Sequence, residues 1–128
     1  MDDGLSWFNI QKKIKENKND IYFHERQIWF CCLGLNIGNE QNGKGDEFLR
    51  PVIILKKFNN KIFIAIPLTT KIHKGKFYFD FLLNKNTRNT ALLSQIKLLD
   101  SKRLKYRLGS IKKQDFQKLK EKLRKLIF

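Results

Sequence analysis

"RPVIILKKFNNKIFIAIPLTT", Arg50–Thr70, holds two apolar, β-branched runs separated by a short polar stretch. Val52–Leu55 and Ile62–Leu68 are too short for helices standing alone and are rich in residues that fit a pleated surface. "KKFNNK" between them reads as a hairpin turn, with Asn59 and Asn60 able to take positive φ. Each run carries a proline near a polar residue. Pro51 holds its own φ and restricts Arg50 to an extended conformation, which sets a guanidinium at the start of a strand. Pro67, unable to donate to a ladder, stands just before the hydroxyls of Thr69 and Thr70. If the hairpin register brings Arg50 and Thr69 to the same end, a planar donor fork and a hydroxyl converge where a phosphate could lie. Taken singly, Arg50 also fits a solvated residue at a strand start, and Thr69 also fits ordinary strand propensity.

The surrounding sequence extends the β pattern. "QIWFCCLGL" upstream is a short aromatic and apolar strand with a possible bend at Gly34. Downstream, "GKFYFDFLL" alternates, with Phe77, Phe79 and Phe81 on one side and Tyr78 and Asp80 on the other. "NKNTRN" is a turn, and "TALLSQIKLL" and "LKYRL" are read as one strand each, joined through "DSKR". Short strands with frequent turns predict a small closed or nearly closed barrel. The last segment, "SIKKQDFQKLKEKLRKLIF", spaces Phe116, Leu119, Leu123, Leu126 and Ile127 as one helical face, with Ser110 as its expected cap and lysines opposite. Residues 5–15 place Trp7, Ile10 and Ile14 on one face of a short N-terminal helix, followed by a turn at "ENKND". The expected division is an N-terminal helical extension over 1–20 and the barrel with its C-terminal helix over 21–128. Between Asn36 and Phe48, "NIGNEQNGKGDEF" reads as a long loop, a kind that in small domains is usually functional or disordered.

Composition narrows the chemistry. Across 128 residues, 27 Lys and Arg face 12 Asp and Glu, a formal charge of +15. That excess suits a polyanionic partner such as nucleic acid, although a compositional bias toward Lys, Asn and Ile would raise it too. The apolar runs are shorter than a bilayer span, and the acidic start has no secretory-signal pattern, so a cytoplasmic protein with no membrane role is expected. Adjacent Cys31 and Cys32 would point to opposite faces of a strand and suit neither a disulfide framework nor a metal site. His24 and His73 are far apart, and no HxxxH or CxxC spacing exists, so no metal and no cofactor is expected. "GNEQNGKG" lacks the GK[ST] ending of a phosphate-cradling loop.

Several pieces, taken in order, resemble the MazF/PemK family of toxin–antitoxin toxins: "ERQIWF", "LGLNIGNEQ", "RPVIIL", "IPLTTKI", "ALLSQIKLLDSKRL" and the "LGS" before the last helix. Together they span residues 25 to 127. The resemblance implies a mainly β fold, an SH3-like small β-barrel with a C-terminal helix. It implies a homodimer that cleaves single-stranded messenger RNA without a metal, at short specific sequences, leaving a 2′,3′-cyclic phosphate, and that is neutralised by a cognate antitoxin. Carried over by motif, Arg50 of "RPV" and Thr69 of "PLT" are the catalytic pair. Glu40 and Gln41 of "GNEQ" and Gln95 of "SQI" fall near the active groove, with Thr70 and Lys71 expected to touch substrate. Neither Arg50 nor Thr69 is a good base at neutral pH, so Glu40 is the candidate base, with Asp46 and Glu47 as alternatives from the same loop. The loop between "GNEQ" and "RPV" is longer than in many members, and residues 1–20 lie outside the family pattern. Two other functions fit the same barrel: a gyrase-targeting toxin, and a non-catalytic nucleic-acid-binding protein.

Overall fold

The structure, a computed structural model, describes residues 21–33, 49–71 and 73–128. The expected N-terminal helix, the turn after it, the bend at Gly34, the loop 36–48 and the candidate residues Glu40, Gln41, Asp46 and Glu47 lie outside the described residues.

The decisive stretch folds as read. β2 (Leu49–Lys57) and β3 (Ile62–Thr69) pair antiparallel, with Val52 opposite Pro67 and Ile53 opposite Ile66. The turn works differently from expectation. Arg26 is the one non-glycine with positive φ among the described residues, so neither asparagine uses it. Instead the Asn59 side-chain oxygen accepts from the backbone N–H groups of Lys61 and Ile62, at 2.7 and 2.9 Å, replacing a backbone turn by a side-chain one. Pro67 does not end its strand either. It falls in a gap along one edge of β3, where pairing with one neighbour stops at Ala65 and pairing with the next begins at Leu68.

β1 (Gln27–Cys32) pairs with β2 and with β7 (Leu104–Ser110), while β6 (Lys97–Asp100) pairs with β3. A 3-10 turn, Ser101–Arg103, joins β6 directly to β7. The order β6-β3-β2-β1-β7 is therefore a five-stranded sheet whose two ends are adjacent in sequence, which curls it into a small barrel. Its inward side chains form one core: Trp29, Cys31, Val52, Ile54, Phe63, Ala65 and Leu104, with Phe23 buried among them. Burial pushes the Cys31 thiol up to about 12, more than the nearby Arg103 charge lowers it, and Cys32 adds to the rise. Alkylation at neutral pH is expected to leave Cys31 unmodified in native protein and to modify it in denaturant, as peptide mass mapping would show.

A hairpin, β4 (Tyr78–Leu82) and β5 (Arg88–Leu92), extends the sheet from the far end of β3, where Leu68 meets Ala91 and Thr69 meets Thr90. Helix α1 (Lys113–Ile127) lays Phe116, Leu119 and Leu123 on the outer face of the sheet, against Ile28, Ile53, Ile66, Leu68, Phe81 and Ala91. Phe79 is partly buried against this core, whereas Phe77 lies outside the strand and is 42% exposed. Ile127 is also exposed, and Leu126 completes the helix's apolar face.

Two sequence expectations are corrected here. "TALLSQIKLL" is not one strand: a 3-10 turn at Leu93–Gln95 breaks it, so that β5 and β6 meet the same edge of β3 at successive positions. Ser110 does not cap the helix. It ends β7 and its Oγ accepts from Arg107 Nη2 at 2.8 Å, while Lys112 holds the cap position without a side-chain bond. Asp115 in the first turn and Arg124 and Lys125 in the last turn complement the helix dipole instead.

Candidate functional site

The site is built by register. The paired register of β2 and β3 ends with Val52 opposite Pro67; Arg50 and Thr69 each lie two residues beyond that pair, at the same end of the two strands and, by alternation, on one face. Directly opposed residues of an antiparallel pair share a face. The same row continues on both sides. Cys31 stands opposite Arg50, and Leu104 opposite Cys31; on the other side Thr90 stands opposite Thr69, and Asp80 opposite Thr90. Leu104, Cys31, Arg50, Thr69, Thr90 and Asp80 thus form one lateral row across six strands, apolar at one end and polar at the other.

Arg50 is 3% exposed and Thr69 6% exposed. The Arg50 Nε is buried and meets no hydrogen-bond partner among the described residues. Burial lowers the Arg50 pKa, the mark of a cation taken out of water. A donor buried in this way is costly unless a ligand oxygen meets it. Thr69 Oγ1 accepts from the backbone N–H of Lys71 at 3.2 Å, which fixes the hydroxyl oxygen and leaves its proton to donate.

Further along the row, Thr90 Oγ1 donates to Asp80 Oδ1 at 2.5 Å and Arg88 Nη2 donates to Asp80 Oδ2. Burial would raise the Asp80 carboxyl, but the hydrogen bonds from Thr90 and Arg88 and the charges of Arg88 and Lys122 outweigh it, and the group is held below the usual carboxylate range. Beside this pair, the rings of His73 and Tyr78 stack with centroids 4.6 Å apart.

Of the other residues expected at the site, Thr70 and Lys71 follow directly on Thr69 and are exposed at the strand's end. Gln95 closes the 3-10 turn between β5 and β6, and its Oε1 is buried without a partner among the described residues. Sequence reading missed Thr90, Asp80 and Arg88. The alternation in "FYFDF" already put Asp80 on the side away from the phenylalanines. Which strand would lie beside it was not legible, because β5 and β6 were read as one element. Among the described residues, no three His, Cys, Asp or Glu side chains gather as metal ligands do, and no helix is long and apolar enough to cross a membrane.

Fold and row together define a small β-barrel in a strongly basic chain, with a buried arginine and buried hydroxyls along one row of its sheet. The family of PemK-like, MazF-like toxins of type II toxin–antitoxin systems matches residues 24–127. The chain belongs to that family. Solved structures with the same fold include a mycobacterial endoribonuclease in complex with its cognate antitoxin, at 15% identity and a TM-score of 0.65, covering 83% of this chain and 95% of that one. MazF from Deinococcus radiodurans is similar at 17% identity and a TM-score of 0.65, covering 84% of this chain and 98% of that one. The Mycobacterium tuberculosis toxin MazF-mt6 follows at 15% identity and a TM-score of 0.61, covering 80% and 96%. A comparison with curated proteins finds no match by sequence.

Proposed function

We propose that this toxin is an endoribonuclease that cuts single-stranded RNA by internal attack, with Arg50 and Thr69 at the scissile phosphate. The observation that supports the reading is that Arg50 and Thr69 lie at the same end of the paired strands β2 and β3, two residues beyond the Val52–Pro67 pair, with the Arg50 Nε buried and without a partner among the described residues. In the reaction the 2′-oxygen bonds to phosphorus, the bond from phosphorus to the 5′-oxygen breaks, and the products are a 2′,3′-cyclic phosphate and a free 5′-hydroxyl. Negative charge grows on the nonbridging oxygens as phosphorus becomes five-coordinate. Arg50, cationic and already desolvated, stabilises that charge most where it is greatest, and the Thr69 hydroxyl donates to the same oxygens. Glu40 is assigned the proton of the 2′-hydroxyl, and the departing 5′-oxygen takes its proton from solvent water. Gln41, Thr70, Lys71 and Gln95 are assigned to the flanking nucleotides. The +15 charge supports a polyanionic substrate by drawing it to the surface. A cytoplasmic homodimer held in check by a cognate antitoxin completes the proposal.

Incubation of purified protein with a long single-stranded RNA in EDTA is expected to release discrete fragments with cyclic phosphate ends. Intact RNA that only shifts in mobility would refute cleavage and leave a binding protein. Thr69→Val, which keeps the shape but removes the donor, is expected to slow single-turnover cleavage about a hundredfold.

A further inference from the structure

The polar row carries a charged group that the cleavage chemistry does not use. Asp80 is a carboxylate on the same face as Arg50 and Thr69, in a protein of formal charge +15. Next to bound phosphates a carboxylate is repulsive, and it is tolerated where it accepts hydrogen bonds from something other than phosphate. Its position suits that purpose. Two strand spacings separate Asp80 from Thr69, about 10 Å across the sheet, so a nucleotide adjoining the scissile phosphate can turn its base toward it. The Asp80 side chain is 29% exposed and that of Arg88 50% exposed, so both face solvent in part. Thr90 and Arg88 each donate to a different carboxylate oxygen, which orients the group and leaves lone-pair capacity on both oxygens. Arg88 in turn keeps donors beyond the one it gives to Asp80.

Resting on the endoribonuclease reading, we infer that Asp80, held by Thr90 and Arg88, selects the base beside the scissile phosphate, accepting from an amino-bearing base and disfavouring uracil. A carboxylate has only acceptors. It matches an exocyclic amino group, such as N4 of cytosine, whereas the one Watson–Crick donor of uracil, N3–H, lies between O2 and O4, whose like partial charge opposes a carboxylate. Asparagine at the same place offers both a donor and an acceptor and loses the distinction. Asp80 is thus a specificity-determining residue, separate from the pair that stabilises the transition state. A purely structural ion pair on an edge hairpin would change melting and leave the choice of base alone.

The test maps the cut sites of the full chain on a long RNA of mixed sequence in EDTA, by sequencing the new 5′-hydroxyl ends. Wild-type protein is expected to show uracil depleted about tenfold at one position flanking the cut. Asp80→Asn is expected to lose that depletion at that position and to keep the preferences elsewhere. A second arm needs no variant: four oligonucleotides differing only at that position, offered to wild-type protein, are expected to give the uracil substrate the lowest kcat/KM by the same factor. An Asp80→Asn map identical to wild type overturns the assignment. So does equal cutting of the four oligonucleotides. Absence of any fragment with wild-type protein overturns the endoribonuclease reading first and this inference with it, an outcome distinct from cleavage without selection.

Discussion

Arg50→Ala is expected to lower single-turnover cleavage of single-stranded RNA by about a hundredfold or more while the protein stays folded. The size follows from where the side chain lies. At 3% exposure Arg50 is largely out of water, so on the proposed mechanism water cannot take over its donors when it is removed. Arg50→Lys is expected to recover only part of the rate, since a single ammonium group does not reproduce a planar fork of donors. Stability should move the other way. Holding a guanidinium with a buried, unpartnered Nε costs free energy in the ligand-free protein, so Arg50→Met, which keeps the stem and drops the charge, is expected to melt no lower than wild type. Quench-flow assays in EDTA together with calorimetric melting check both halves. Cleavage by Arg50→Ala at the wild-type rate would remove Arg50 from the mechanism.

Phe63→Ala is expected to destabilise the fold by about 3–5 kcal/mol, a large part of the roughly 5–15 kcal/mol that holds a domain of this kind together. Phe63 is fully buried in the barrel core, with its ring tilted against Phe23 at 5.0 Å. It lies on β3 six residues before Thr69 and so on the same face. Truncation leaves a cavity where the strands of the barrel meet and loosens the wall that holds the Thr69 end of β3 in place. Leu98, on β6 but 65% exposed, is the contrast: Leu98→Ala is expected to change stability by no more than about 0.5 kcal/mol. Urea midpoints for the two variants would separate a packed interior from a coincidental apolar pattern. Equal midpoints would contradict the barrel core described above.

Reading the chain without coordinates went furthest where a pattern is local. The continuous apolar runs of β2 and β3, the alternation in β4 and the period of three and four in the last helix are each local to one element, and all were legible. Reading failed where a choice depended on a neighbour. Ser110 is a good cap by type, but pairing between β1 and β7 runs through Gln27 and Ser110 and holds that residue in the strand. "TALLSQIKLL" is continuous in its apolar character. It breaks into two strands because β3 offers β5 and β6 different stretches of one edge, Leu68–Thr69 and Ile62–Ala65. Asn59 was expected to contribute backbone freedom and contributes a side-chain acceptor instead.

The candidate site divides along the same line. That Arg50 lies near the start of one strand and Thr69 at the end of the next is written in "RPV" and "PLT", because proline geometry and hairpin pairing act over a few residues. That Thr90 and Asp80 extend the same row is written nowhere in the chain, since side-chain period fixes only the face of each strand and leaves its neighbours open. Local sequence therefore determined which residues could form strands and which of them faced the same way. Only the folded sheet decided which strands lie side by side, because pairing is settled by the total burial and hydrogen bonding of distant segments. From that choice came the desolvated arginine, the hydroxyl at the same end of the next strand and the carboxylate two strands beyond that.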